Sequence, residues 1–206
     1  MIIAPLSLPK RTLAGFLAGA LAGCSLLAPT RAPAPRLFTL QPGFAVADVA
    51  ADATAPRTIA ISLPSARPGF DGPRMVYVTR PYEIQYFSTH EWVVPPARLL
   101  APLLRLALAR SGRLRVVETT QVEPPALRLQ TEVVALQQEF NVRPSQVRFA
   151  LRARLDDGAT GHLVAETELE TTEPADSEDP YGGVVAANRA VGRVLEELAA
   201  WCAAVP

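Results

Sequence analysis

Lysine is almost absent from this 206-residue chain: Lys10 is the only one, and every basic side chain after it is an arginine. A P-loop requires a lysine that reaches the phosphates, and Schiff-base chemistry requires a lysine amine. The part of the chain that follows Lys10 therefore supports neither, which excludes an ATPase of the P-loop type.

Cysteine is also scarce, with Cys24 and Cys202 as the two examples. Because the sulfur of Cys24 is predicted to be covalently modified, Cys202 is left without a partner and a disulfide framework is excluded. Cys202 follows Trp201 in an apolar helical run, which predicts a small buried hydrophobic residue.

The chemistry of catalysis and metal binding has few candidates. His90 and His162 are the only histidines, and apart from Glu91 neither has a second ligand at a useful spacing. Ser88 and His90 would point the same way from a strand, and Ser65 is a second conceivable nucleophile, but nothing orients the imidazole. The sequence therefore predicts no catalytic residue, no metal site and no cofactor.

Charge is balanced, with 20 basic and 20 acidic residues. Removing Lys10 and Arg11 with a cleaved leader leaves 20 − 2 = 18 basic residues and a net charge of about −2. This balance lacks the clustered positive face that nucleic acid requires, so no nucleic-acid partner is expected.

The N-terminus has the order of a lipoprotein signal peptide. Lys10 and Arg11 precede an uncharged run over residues 13–23, which is too short for the roughly 20 residues that span a bilayer. The run ends in Leu-Ala-Gly-Cys at 21–24, which resembles the lipobox of bacterial lipoproteins. We expect cleavage between Gly23 and Cys24 and acylation of Cys24 with chains such as palmitate; the alternative is an ordinary secretory signal with a coincidental cysteine.

The residues after Cys24 predict where the anchor lies. Ser25 occupies the position at which an aspartate marks inner-membrane retention in many Gram-negative lipoproteins, so we expect the periplasmic face of the outer membrane. Residues 26–35 are rich in Ala and Pro, which predicts an extended tether.

We divide the chain into a signal peptide (1–23), a lipidated N-terminus with tether and loop (24–57) and a folded domain (58–206).

Hydrophobic periodicity predicts an α+β domain, a mostly antiparallel sheet with two main helices packed on one face. Strands are predicted at 37–40, 58–63, 75–80, 82–90, 114–117, 126–139, 146–155 and 163–171. Helices are predicted at 95–110 and 181–204. Pro102 either kinks the first helix or marks its true start, and Gly112 is its predicted C-terminal cap.

The faces of several elements can also be predicted. Leu99, Leu103, Leu106 and Ala107 share one face of the first helix. The second helix has an apolar stripe, and the hairpin closed by residues 156–158 alternates in both strands. The predicted stripe of the second helix consists of Val184, Val191, Leu195, Leu198 and Cys202. Across the hairpin, three arginines are predicted to face three glutamates: Arg148, Arg152 and Arg154 on one strand, and Glu166, Glu168 and Glu170 on the other. The inward positions of the last strand are Leu163, Ala165, Thr167 and Leu169. Residues 172–180 are predicted to form a loop.

The feature that stands out is an aromatic run before the first helix. Tyr82, Tyr86 and Trp92 are large amphipathic side chains of the kind enriched at interface anchors. We interpret them as a partner or lipid contact; the alternative is core or rim packing.

This central region resembles a known family. The residues that carry the resemblance are Arg80-Pro81-Tyr82-Glu83, Tyr86, Trp92, Pro95-Pro96-Ala97-Arg98-Leu99-Leu100, Leu103-Leu104 and Ser111-Gly112. The pattern is similar to the ABC-transport auxiliary lipoproteins, which accompany MCE-type lipid transporters, including the paraquat-inducible type. The resemblance implies a non-enzymatic partner of a periplasmic MCE component, its permease and its ATPase, supporting the movement of phospholipid or another hydrophobic molecule. A homo-oligomer is a further possibility.

Two other hypotheses stay open at this point. The protein could itself bind a hydrophobic ligand between sheet and helices, in which case a continuous apolar cavity is expected. It could instead be an enzyme of outer-membrane maintenance, which would require a convergent polar pocket.

Overall fold

The computed structural model describes residues 33–44, 56–118 and 124–205. The predicted signal peptide, Gly23, Cys24 and most of the tether lie outside the described residues. The folded elements belong to one compact unit, Pro35–Pro206. Its strands are β1 Arg36–Phe38, β2 Arg57–Ile61, β3 Ser65–Ala66, β4 Arg74–Val78, β5 Gln85–Trp92, β6 Leu114–Val117, β7 Leu127–Glu139, β8 Gln146–Asp157 and β9 Leu163–Pro174, and its helices are α1 Pro96–Arg110 and α2 Pro180–Ala204.

The sheet is built around the long strand β7. On one side β7 pairs antiparallel with β8, and β8 pairs antiparallel with β9. On the other side β2, β3 and β4 pair in parallel with successive parts of β7. Beyond them β6 lies parallel to β2, β5 antiparallel to β4, and β1 parallel to β5.

The predicted α+β class is therefore confirmed, but a mostly antiparallel sheet is wrong, because five of these pairings are parallel. Alternation of apolar residues reports that a segment is a half-buried strand, and it carries no information about the direction of its neighbour. The two helices contact each other as well as the sheet, so they share one face of it.

Helix α1 has its predicted extent to within one residue but differs from the prediction in the face that it buries. It begins at Pro96, so Pro102 lies in its interior and does not mark its start. Its fully covered side consists of Ala97, Leu100, Leu104, Ala107 and Leu108, whereas Leu99 and Leu103 are half-buried and Leu106 is 46% exposed. Of the four predicted positions Ala107 is buried, and the covered side is rotated from the predicted face by about one residue. The reason is that an apolar helix offers several plausible stripes. Gly112 has a φ of 68°, as expected of a residue that ends a helix in the left-handed region.

Helix α2 has the predicted buried stripe, all five members of which are less than 9% exposed. Its N-cap is Asp179, whose carboxylate accepts the Gly182 N–H at 2.8 Å. At the other end the Arg57 guanidinium donates to the carbonyls of Cys202 and Val205. A cation at this end is favourable because the last carbonyls of a helix are unpaired and carry partial negative charge.

The β8–β9 hairpin has the predicted register at two of the three charged pairs, with Arg152 opposite Glu168 and Arg154 opposite Glu166. Arg148 lies opposite Thr172 and reaches Glu170 diagonally. Strand β9 continues to Pro174, so the predicted loop begins later than expected. Leu163, predicted to face inward, is 52% exposed. A bulge next to Leu155 shifts the pairing by one residue at this end and puts Leu163 out of phase with the rest of the strand.

Candidate aromatic contact surface

The tip of the β4–β5 hairpin presents Tyr82 to solvent. Its side chain is 107% exposed relative to an extended reference, and its backbone has a φ of 69°. A bulky residue rarely adopts this left-handed conformation, and such outliers cluster at functional sites. The hairpin below it is held by Arg80 bonded to Glu83 and by Gln85 Nε2, which donates to Glu83 Oε1 at 2.7 Å and Thr79 Oγ1 at 3.0 Å. The hydrogen bond from Arg80 also lowers the pKa of Glu83.

Tyr86 is a half-buried side chain in a defined position. Its hydroxyl donates to the Gly69 carbonyl at 3.2 Å, and the Arg74 guanidinium lies 3.8 Å from the ring centroid. The cation over the ring and the hydroxyl contact restrain the side chain from two directions. Ile84, 44% exposed, lies beside Gly69 and completes the surface that we call the hairpin surface, consisting of Tyr82, Ile84 and Tyr86.

Trp92 is not part of this surface. It is 4% exposed, and its backbone N–H donates to the Pro73 carbonyl at 2.7 Å. It lines a small cavity between sheet and α2, together with Met75, Val147 and Gly183. The three predicted contact residues are thus separated by burial: Tyr82 is exposed, Tyr86 is half-buried and Trp92 packs in the core.

The structure also shows a second aromatic feature, a row of rings in sequential contact that we call the aromatic row. It runs from the start of α2 across β1, β5 and β4 to the end of β7, with neighbouring centroids 4.6 to 6.4 Å apart. Its members are Tyr181, Phe38, His90, Phe87, Tyr77 and Phe140. Tyr181 is 64% exposed and the others are half-buried, so the row forms a continuous apolar margin of the domain.

The histidine in this row is used for packing. The His90 ring stacks on Phe38 with an interplanar angle of 10°, and its Nδ1 lies 3.0 Å from Thr89 Oγ1. Ser88 is exposed beside it. Within the described residues, no group of three or more His, Cys, Asp or Glu side chains is placed to hold a metal ion.

The cavity beside Trp92 bears on the ligand-binding hypothesis. Its volume is about 10 Å³, and its lining is mostly apolar apart from Gln137 and Gln138. A space of this size accommodates about one water molecule, far less than an acyl chain. The cavity therefore does not support the hypothesis that this domain stores a lipid between sheet and helices.

Two further points concern the rest of the chain. Cys202 is a free, fully buried thiol, and burial raises its pKa to about 12, as expected of a residue that serves as a small hydrophobic group. Across the described ranges, none of the helices combines the length and the apolar character needed to cross a bilayer.

The described domain is thus an α+β fold that exposes two tyrosines, Tyr82 at the hairpin tip and Tyr181 at the start of α2. The model of the ABC-type transport auxiliary lipoprotein component matches residues 38–199, and the chain belongs to this family. The predicted family resemblance is thereby confirmed. The family's description is that of a transport accessory and not of an enzyme.

Solved structures show the same fold at low identity. Protein XCC0632 from Xanthomonas campestris is 20% identical, with a TM-score of 0.65 over 83% of this chain and 94% of that one. The hypothetical protein CT253 from Chlamydia trachomatis is 11% identical, with a TM-score of 0.53 over 73% of this chain and 98% of that one. No curated protein matches the chain significantly.

Sequence reasoning missed most of the aromatic row. Phe38 lies on β1, Tyr77 lies on β4 and Phe140 directly follows β7. Parallel pairing brings β1 next to β5 and β4 next to β7. The available signal was the presence of aromatic residues on the alternating positions of several strands. That signal does not reveal which strands become neighbours.

Proposed function

We propose that this protein is a lipid-anchored periplasmic auxiliary component of an MCE-type ABC transporter. In this role it supports the movement of phospholipid or another hydrophobic molecule by docking on the periplasmic component. Family membership carries the proposal, and the lipobox at residues 21–24 supports an anchor at Cys24. Ser25 favours the outer membrane as its location.

The hairpin surface is the proposed docking site. Tyr82 combines full exposure with a strained backbone, a combination that costs stability and serves no packing purpose within the domain. Tyr86 and Ile84 extend the apolar contact, and the ion pair between Arg80 and Glu83 provides a polar rim. Exposed aromatic anchors with a polar rim are typical of protein interfaces.

The decisive experiment is co-purification of the full chain with the MCE component from cells that express both. Tyr82→Asn removes the ring and introduces a residue that tolerates positive φ, so the fold should be retained or slightly stabilised. We expect recovery of the MCE component to fall at least about fivefold, since aromatic anchors often contribute more than 1 kcal/mol to binding.

The matched control is Leu106→Gln, which alters a 46% exposed apolar residue on α1, away from the hairpin. It should leave recovery unchanged. Equal recovery with wild-type protein, Tyr82→Asn and Tyr86→Ala would contradict the docking site. Failure of the wild-type chain to recover any MCE component would contradict the transporter assignment itself.

The anchor has a separate test. Mass spectrometry of the mature N-terminus should detect an acylated Cys24, and Cys24→Ser should release the protein from the membrane fraction. An unmodified Cys24 in membrane-bound wild-type protein would contradict the proposed anchor.

A further inference from the structure

Strand β9 has a long free edge. It pairs with β8 alone among the strands that the structure describes, and it is 12 residues long. The other described strands with a single neighbour are much shorter: β1 has three residues, β3 two and β6 four. A long unpaired edge offers a row of N–H and C=O groups to another strand, and proteins usually shorten or block it.

Charge alternates across the sheet toward this edge. Arg67 Nε lies 3.9 Å from Glu132 Oε2 on β7. On β8, Arg152 Nη1 lies 3.0 Å from the same Glu132 oxygen, and Arg152 Nη2 lies 3.1 Å from Glu168 Oε2 on β9. From the end of β3 toward β9, the four side chains Arg67, Glu132, Arg152 and Glu168 are therefore positive, negative, positive and negative. This series ends on a carboxylate, so the next strand in the same pattern would be positive.

The neighbouring acidic residues extend this pattern along β9. Glu170 is held by Arg148 through bonds of 2.7 and 2.6 Å. Glu166 lies opposite Arg154 in the register, but the Nε of Arg154 donates to Asp156 at 2.7 Å instead. Within the described residues, the side chain of Glu166 makes no ion pair or hydrogen bond. We call Glu166, Glu168 and Glu170 the acidic column.

The acidic column selects among possible strand partners. A second copy of β9 that continued the sheet would bring glutamates opposite glutamates, and like charges directly across a strand pair are destabilising. A strand with basic residues at alternate positions would instead place each of them against one carboxylate. The column therefore disfavours self-association while it admits a basic strand.

The start of β9 adds an apolar contact. Leu163 and Val164 are 52% and 40% exposed at the end of the strand next to the hairpin turn. An incoming strand that covers the acidic column can cover these two residues as well. Main-chain pairing would supply affinity and the alternating side chains would supply specificity, as in other strand-addition complexes.

We propose that the free edge of β9 accepts an extended strand of a partner protein with basic residues at alternate positions, aligned with Glu166, Glu168 and Glu170. The inference does not depend on the transporter assignment, since it rests on the sheet edge and its charges.

The test uses the full chain, purified in mild detergent, and a synthetic peptide in which Arg and Val alternate over seven residues. Binding is measured by fluorescence anisotropy, and the contacted residues are located by the hydrogen exchange of backbone amides. We expect saturable binding together with slower exchange in residues 163–174. A second peptide, with Pro in place of the central Val, keeps the charge but cannot form the ladder, so it should bind at least about tenfold more weakly.

Glu166→Arg is the informative variant, because Glu166 has no internal partner to lose. We expect it to weaken binding of the Arg-Val peptide about three- to tenfold at low ionic strength. Glu197→Arg makes the same change of charge on the exposed side of α2 and should leave binding unchanged.

Three results would overturn the proposal. The first is equal binding of the Pro-containing peptide, which would indicate attraction by charge alone. The second is an equal loss of binding with Glu166→Arg and Glu197→Arg. The third is protection of β9 amides by concentration-dependent self-association without peptide, which would make a second copy the occupant.

Discussion

At the scale of single residues, the packing around Gly183 shows how closely α2 approaches the sheet. A Cβ atom at this position would lie 2.2 Å from Gln138 Oε1. Gln138 is 3% exposed and cannot swing away easily, since its Nε2 donates to Ser145 Oγ at 3.1 Å and to the Asp179 carbonyl at 3.2 Å. Glycine is therefore required here by space.

We expect Gly183→Ala to lower the free energy of unfolding by about 1–3 kcal/mol, the usual cost of overpacking a core. Within an unconstrained helix the same substitution stabilises by about 1 kcal/mol, so the sign of the effect is diagnostic. Urea denaturation measures it. Gly72→Ala, which meets no atom within 4 Å, is the control and should change little. A more stable Gly183→Ala protein would contradict this account of the contact.

At the scale of elements, α2 is held at both ends by charged groups. Asp179 accepts the Gly182 N–H at 2.8 Å and the Ser177 hydroxyl at 2.9 Å, and Arg57 binds the last carbonyls. The Gly182 N–H, followed by the Ser177 hydroxyl, lowers the pKa of Asp179 below its ordinary value. The carboxylate form is therefore favoured in the folded state.

This shift predicts a pH dependence with a definite sign. Because the pKa of Asp179 is lower in the folded state, its contribution to stability is present above the unfolded pKa of about 3.9 and is lost as pH falls through the folded value. Asp179→Asn keeps an acceptor but does not titrate. Its melting temperature should fall less steeply than that of wild type between about pH 5 and pH 2. Glu197→Gln on the same helix should retain the wild-type slope, and an unchanged slope in Asp179→Asn would refute the assignment.

At the scale of the whole molecule, residues 40–42, which follow β1, belong to the packed unit. Leu40 is 4% exposed, the Gln41 N–H donates to Asn188 on α2, and the Cβ of Pro42 lies 3.3 Å from the Cβ position that Gly192 lacks. The sequence interpretation placed these residues in the region of tether and loop. The structure shows them docked on α2, within a compact unit that begins at Pro35.

Leu40 and Leu37 provide a matched pair for this segment. Leu40→Ala should cost about 2–4 kcal/mol of unfolding free energy, because it leaves a cavity in the core. Leu37→Ala alters a side chain that is 58% exposed and should change stability by less than about 0.5 kcal/mol. Equal, small effects of both substitutions would show that the segment contributes nothing to the fold.

Much of the secondary structure could be predicted from the sequence. The α2 stripe, the cap at Gly112 and the facing of Arg152 and Glu168 all follow from local spacing, because side-chain periodicity reflects helix and strand geometry directly. The α1 face was displaced because its sequence is apolar almost all round, so periodicity offered more than one stripe. Strand β3, with two residues, was too short to give any periodic signal.

The sequence by itself determined the class of the domain, the places of its helices and longer strands, and the family to which it belongs. Only the tertiary structure decided that β7 has parallel neighbours, that Trp92 is buried while Tyr82 is exposed, and that β9 ends the sheet on glutamates. The physical reason is that periodicity records the local backbone and the face that is buried. Which strand lies beside which depends on contacts between residues distant in sequence, which no local pattern encodes.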